Sequence, residues 1–329
     1  MTLLQVEHLS VVNRQGIALV DDVSFQLNAG EMLGLVGESG SGKTVSCRAV
    51  MRLLPPDALR IAGGEVRLQG QNILAMTERQ MAKIGGREIG MIFQNPSSHL
   101  NPIMTIGAQI AESRRLHFGV SAREAMADAI ELLRKVGIPD PAQRVKNYPH
   151  EFSGGMRQRA MIAVALAPEP KVLIADEPTT ALDVTVQLQI LRLLMSLRDT
   201  LGVAIVMITH DLGVVAQTCD RIAVMYGGRL CETGGKHQVL AGALHPYTQG
   251  LMDCQPASEG GHARLVTIDG QPPVAEHFPT GCRFHPRCQR ATHDCEAQQP
   301  LMRAAVTQAT HHAACHHPFA HLQTLEAPC

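Results

Sequence analysis

Apolar runs over residues 3–12 and 17–27 read as two strands, with Arg14-Gln15-Gly16 as the turn between them and Asn28-Ala29-Gly30 as the next turn. Met32-Leu33-Gly34-Leu35-Val36 is a further apolar strand. It runs into a glycine-rich loop and then a helix-competent stretch over 44–54. Strands are also predicted over 63–70 and, briefly, over 88–94, the latter ending in the polar loop Asn95-Pro96-Ser97-Ser98. The pattern changes over 105–147. Ala, Glu, Arg and Leu dominate, and breaks at Gly119 and at Gly137-Ile138-Pro139 divide helices, so a helical insertion is expected over about 105–160. Strand–helix alternation then returns. Residues 171–175 and 203–209 are apolar enough for buried parallel strands, 184–201 is the helix between them, and 221–226 with 229–233 form a closing pair. Beyond His245, Pro, His, Gln and Cys rise and apolar periodicity fades. The expected division is a large α/β domain over 1–250 and a small irregular domain over 251–329, the latter with little apolar core.

The chain has 329 residues, of which 45% are hydrophobic, enough for a sizeable core. Its net charge of −1 gives no reason to expect nucleic acid as a bulk partner. No apolar stretch reaches membrane-spanning length. The opening MTLLQVEHLS lacks the basic region and apolar core of a secretory signal. The expected location is the cytosol, with membrane association through partners. In that reducing compartment, clustered members of the nine cysteines read as metal ligands rather than disulfides.

Residues Gly37-Glu38-Ser39-Gly40-Ser41-Gly42-Lys43-Thr44 fit G-x-x-x-x-G-K-[ST], with a strand before and a helix after. The glycines let successive backbone N–H groups converge on phosphates, and the helix N-terminus adds partial positive charge. Lys43 is expected on the terminal phosphates of a nucleotide and Thr44 on Mg²⁺. Downstream, the apolar strand Val172-Leu173-Ile174-Ala175 ends in Asp176 and Glu177. Asp176 would hold Mg²⁺ through its water shell, and Glu177 would polarise the attacking water. Phe152-Ser153-Gly154-Gly155-Met156-Arg157-Gln158-Arg159 opens a helix on a second anion-binding turn. One nucleotide does not need two such sites on opposite sides. The economical account is a dimer in which the Ser153 side of each chain caps ATP on its partner.

Together these motifs resemble an ABC transporter nucleotide-binding subunit, over about residues 1–245. The resemblance implies an α/β fold: a RecA-like P-loop NTPase core with an antiparallel β subdomain and a helical insertion. It makes Gln94, in Met91-Ile92-Phe93-Gln94, the glutamine that contacts Mg²⁺ and senses the transmembrane partner. Ser153, Gly154, Gly155 and Gln158 fall in the signature motif. Asp183, closing Thr180-Ala181-Leu182-Asp183, falls in the loop that crosses the dimer interface, and His210 is the switch histidine on the γ-phosphate. One departure stands out. The family stacks adenine on an aromatic residue near the first turn, whereas here Arg14 offers a guanidinium plane.

Cys282, Cys288, Cys295 and Cys315 form a C-x5-C-x6-C-x19-C set. Four thiolates suit tetrahedral zinc or a [4Fe–4S] cluster, and spacing alone leaves both open. His245-Pro246-Tyr247-Thr248 followed by this pattern resembles the ATPase subunits of dipeptide, oligopeptide and nickel importers, whose C-terminal module implies the iron–sulfur cluster. Substituting Cys288 by Ser is expected to bleach the cluster and loosen residues 255–329 while leaving nucleotide binding at Lys43 largely intact. Cys47, Cys219, Cys231 and Cys254 read as core or interface residues, Cys329 as incidental, and the histidines over 285–321 as a solvated tail.

The resemblance further implies a peripheral subunit on the cytoplasmic face of the inner membrane. Its partners would be a paralogous ATPase, two permeases and an extracytoplasmic solute-binding protein, and its solutes peptides or a metal chelate such as nickel. A soluble ATPase of DNA repair or translation is disfavoured, because the chain has neither a long coiled-coil insertion nor a tandem cassette. A soluble iron- or redox-sensing ATPase is the alternative from another class.

Overall fold

The computed structural model describes residues 1–180, 182–255 and 267–320. Ala181, in the interface loop motif, and Cys329 lie outside them. The strands are β1 (Thr2–Asn13), β2 (Ala18–Asn28), β3 (Met32–Val36), β4 (Leu59–Leu68), β5 (Gln71–Asn72), β6 (Ile89–Ile92), β7 (Val172–Asp176), β8 (Ala204–Thr209), β9 (Arg221–Tyr226), β10 (Arg229–Gly235), β11 (Arg303–Ala305) and β12 (Gln308–Ala313). They belong to two compact units that exchange the chain several times. One comprises Met1–Leu4, Leu27–Glu31 and Ala75–Ile208; the other comprises Gln5–Gln26, Met32–Leu74 and the chain from Thr209 onward.

In the first unit, β6, β7 and β8 pair in parallel with Ile89 opposite Val172 and Val172 opposite Ala204. All three strands are fully buried, as continuous apolar runs require. The helix Val184–Leu201 buries Ile190, Leu191, Leu194 and Leu197, one stripe at helical spacing. The insertion consists of Ile106–Phe118, Ala122–Lys135 and Pro141–Arg144. Its breaks fall at the glycines that the sequence marks. Arg114 ties this region together, donating to Asp128 at 2.8 Å, Glu169 at 2.8 Å and the Ala167 carbonyl at 3.0 Å.

The predicted polar loop after β6 is instead a one-turn helix, Pro96–His99. Asn95 Oδ1 accepts the Ser97 N–H at 2.9 Å, and a proline at the first helical position loses no bond. A helix over Glu78–Ile84, absent from the pattern reading, starts on a full capping box between Thr77 and Gln80.

In the second unit, β2, β1, β4 and β5 form one sheet in that order. β3 pairs in parallel with β9, and β10 pairs antiparallel with β9. The sheet continues past position 250: β12 pairs antiparallel with β10, setting Glu232 opposite Ala313 and Thr233 opposite His312, and β11 pairs with β12. The cysteine-bearing segment thus contributes strands to this unit's main sheet. Its six-residue strand Gln-Ala-Thr-His-His-Ala carries no apolar alternation strong enough to signal a strand.

Candidate nucleotide site and cysteine cluster

The phosphate loop lies in the second unit. β3 is wholly buried and delivers the chain to Gly37, where a Cβ would sit 2.1 Å from the Met225 carbonyl oxygen, so no larger residue fits. The helix Lys43–Val50 follows directly. Lys43 is 5% exposed, and its Nζ donates to the Gly37 carbonyl at 2.7 Å, the Glu38 carbonyl at 2.8 Å and Ser41 Oγ at 3.2 Å. The loop therefore curls around the ammonium group, with Ser39 and Gly40 exposed at its crest. Gly42 and Thr44 stand at the helix start. In the same unit His210 is exposed, and Asp211 beside it caps the helix Leu212–Thr218 by accepting the Gly213 N–H at 2.7 Å. Arg14 is solvent-exposed with Nη2 3.5 Å from Asp57, a carboxylate the sequence reading did not connect with it.

The carboxylates lie in the first unit. Asp176 is buried at the end of β7. Glu177 takes a left-handed backbone, φ 45°, costly for a residue with a side chain and characteristic of functional sites. Its N–H donates to the Ile208 carbonyl at 3.0 Å, tying the turn to β8. Its Oε2 accepts from Gln94 Nε2 at 2.8 Å and from Thr180 Oγ1 at 2.8 Å. Gln94 and Glu177, 83 positions apart, are thus brought into direct contact. Thr180 is a partner that sequence reasoning missed, although it lies inside a motif already singled out.

The signature residues lie in this unit too. Ser153 Oγ accepts the Met156 N–H at 3.4 Å, capping the helix Gly154–Leu166, and the turn is exposed. Gln158 is buried, and its Nε2 has no hydrogen-bond partner. Asp183 Oδ1 accepts the Val186 N–H at 2.9 Å and caps Val184–Leu201. The two helices approach closely: a Cβ on Gly155 would lie 2.8 Å from Val186 Cγ1.

In the carboxy-terminal segment, Cys295 and Cys315 are buried, Cys282 and Cys288 half-buried, and the Cys282 N–H donates to the Cys295 carbonyl at 2.8 Å. Burial pushes the Cys282 thiol up to about 11 and Cys315 up to about 12. The charges of the other thiols of the set add to both shifts, so the four cysteines lie within electrostatic reach of one another. Cys47, Cys219 and Cys231 are buried and Cys254 half-buried, as expected of packing residues. The histidine tail is less bland than its composition suggests. His317 Nε2 lies 2.6 Å from Thr292 Oγ1 and 3.0 Å from Asp294 Oδ1, and Asp294, Cys295 and His317 group their ligand atoms within 4.8 Å. Hydrogen bonds from Thr292 and then His317 hold the Asp294 carboxyl far below the usual range.

A phosphate loop, a buried aspartate followed by a strained glutamate, and an exposed Ser-Gly-Gly helix start define a nucleotide-hydrolysing cassette. The family model of the ABC transporter matches residues 20–180, and that of the oligopeptide/dipeptide transporter C-terminal region matches residues 231–295. A probable peptide ABC transporter ATP-binding protein of Sinorhizobium fredii is 50% identical over 89% of this chain and 87% of its own length. The oligopeptide transport ATP-binding protein OppD of Haemophilus influenzae is 49% identical over 87% of this chain and 88% of its own. Among solved structures, a dimeric bacterial ABC transporter cassette superposes with TM-score 0.63 at 25% identity, over 71% of this chain and 99% of that one. The chain belongs to the ABC ATPases. Within them it is an ATP-binding subunit of the importer branch that carries the oligopeptide/dipeptide C-terminal region, and it couples ATP hydrolysis to transport. Among the described residues no helix is long and apolar enough to cross a membrane.

Proposed function

We propose that the chain powers uptake of dipeptides or oligopeptides. It would sit peripherally on the cytoplasmic face of the membrane with a paralogous ATPase, two permeases and an extracytoplasmic solute-binding protein. The supporting observations are near-50% identity to peptide-import ATP-binding proteins over nearly nine-tenths of the chain and the match of the oligopeptide/dipeptide C-terminal region over residues 231–295. Lys43 and the backbone N–H groups of residues 37–44 bind the β- and γ-phosphates. Thr44, Asp176 and Gln94 offer hydroxyl, carboxylate and amide oxygens, the hard donors that Mg²⁺ prefers, and bound Mg²⁺ supplies charge neutralisation on the phosphates. Glu177 takes the proton of the attacking water, held ready by Gln94 and Thr180. His210 contacts the γ-phosphate, and Arg14 lies against the base. Ser153, Gly154, Gly155 and Gln158, with Asp183, serve the nucleotide bound by the partner ATPase. Glu177→Gln should retain ATP binding and cut hydrolysis by about 10²-fold or more in the assembled transporter. Turnover near wild type, with the partner's own site disabled, would remove Glu177 from the role. Labelled-peptide uptake into cells carrying the whole system tests the solute, with nickel uptake as the competing outcome.

The four cysteines fit a [4Fe–4S] cluster by donor chemistry, because an iron–sulfur centre takes four thiolates. Burial raises the Cys282, Cys288 and Cys315 thiols, so a cation is needed to draw off their protons. Cys282, Cys288, Cys295 and Cys315 would hold it, and the cluster would staple a segment with little apolar core. Protein purified without oxygen should contain about four irons per chain and absorb broadly near 400 nm. One zinc per chain without colour would replace the cluster with zinc.

A further inference from the structure

One arginine of the cysteine segment reaches the phosphate loop, and a second holds the turn that hydrogen-bonds to it. Arg287, 5% exposed, sets Nη1 2.7 Å from Glu38 Oε2 and Nη2 3.1 Å from Glu38 Oε1, a two-pronged grip on the second residue of the loop. Its remaining donors are fixed by the Asp269 carbonyl at 2.8 Å, the Ile268 carbonyl at 3.2 Å and the Tyr226 hydroxyl at 3.3 Å, so the guanidinium is held from behind. Tyr247, fully buried, accepts the Glu38 N–H on its hydroxyl at 2.8 Å. The Glu38 carbonyl in turn accepts from Lys43 Nζ. At the other end of the loop, Arg283 donates to the Gly227 carbonyl and pairs with Asp21, and the next N–H, that of Gly228, donates to the Ser41 carbonyl at 3.0 Å. Phe284, between the two arginines in sequence, is buried against Tyr226 and Tyr247 at ring distances of 5.1 and 5.3 Å.

We propose that Arg287 and Arg283 are positioning residues for nucleotide binding: the cysteine segment braces both ends of the phosphate loop and sets ATP affinity. Neither side chain need touch the nucleotide. They act through Glu38 and through the Gly227-Gly228 turn. The proposal needs only ATP binding, so it stands whatever solute is carried and whatever metal the cysteines hold.

The test is equilibrium binding of Mg-ATP to the full-length chain in its transporter, with Glu38→Gln as the decisive variant. Bare electrostatics predicts tighter binding when a carboxylate beside the phosphates is neutralised. The brace predicts weaker binding, by about five- to tenfold, in line with loss of charge-assisted hydrogen bonds. Arg287→Ala should weaken binding similarly and raise KM for ATP more than it lowers kcat. The double variant should be no worse than the weaker single, because both remove one contact. Arg287→Lys should recover part of the loss, since an ammonium cannot grip both oxygens. Tighter or unaltered binding in Glu38→Gln overturns the proposal, as do additive losses in the double variant. Should Arg287→Ala fail to fold, Glu38→Gln decides alone.

Discussion

Glu177 and His245 carry opposite kinds of cost. Glu177 holds an unfavourable backbone so that its carboxylate meets Gln94 and Thr180. His245 is 2% exposed and holds an imidazole that cannot easily charge. Burial lowers its pKa to about 4, against the pull of the Glu232 carboxylate. Its Nδ1 accepts the Tyr247 N–H at 3.0 Å and so serves as a helix cap in the neutral form. An unfolded histidine takes its proton near pH 6.5, the folded one only near 4. The neutral residue's contribution is therefore fully present above about 6.5 and is lost as pH falls toward 4. At pH 5 the loss should be about 2 kcal/mol. Thermal melts from pH 7 to 5 should show the decline, and His245→Gln should flatten it. An equal slope in both proteins would assign acid lability to other groups.

At the scale of elements, several boundaries follow local chemistry. Asp183, Ser153, Thr105 and Ser121 each cap the helix that begins one residue later, and the insertion helices stop at the glycines the sequence shows. Element packing is less local. Gly155 is read from sequence as part of an anion-binding turn, yet in the structure it is also the point where two helices close on each other through Val186. Gly155→Ala gains about 1 kcal/mol of helix propensity but forces a methyl into a β-branched neighbour, at a cost of about 1–3 kcal/mol. The net should be a lower melting temperature, and adding Val186→Ala should restore it. A stabilised single variant would show that the interface yields freely. The one-turn helix Pro96–His99 went unread because four polar residues carry no periodicity, although Asn95-Pro96 is a start signal in hindsight.

At the scale of the molecule, the cysteine segment and the phosphate loop share one compact unit. That bears on the expectation that losing Cys288 leaves nucleotide binding largely intact. Arg287 precedes it directly, and Arg283 follows Cys282. Cys288→Ser should bleach any cluster and also weaken Mg-ATP binding several-fold, by freeing the Arg287 grip on Glu38. Bleached protein that still binds ATP with full affinity would restore that expectation.

The sequence by itself determined the ATPase chemistry. The phosphate loop, the strand ending in Asp176-Glu177 and the Ser-Gly-Gly turn are short motifs whose residue types and spacing point to that chemistry, the role of His210 is what the family resemblance implies, and the strand and helix around each are locally encoded. It also showed four cysteines that need a common purpose. The tertiary structure decided what these motifs lean on. Gln94 meeting Glu177, Tyr247 and Arg287 meeting Glu38, and β12 completing a sheet begun by β3, β9 and β10 join residues up to 249 positions apart. No periodicity or propensity encodes such contacts. They arise because burying the aromatic cluster of Tyr226, Tyr247 and Phe284 brings Arg287 to the one carboxylate on the loop and Arg283 to Asp21 and the Gly227 carbonyl.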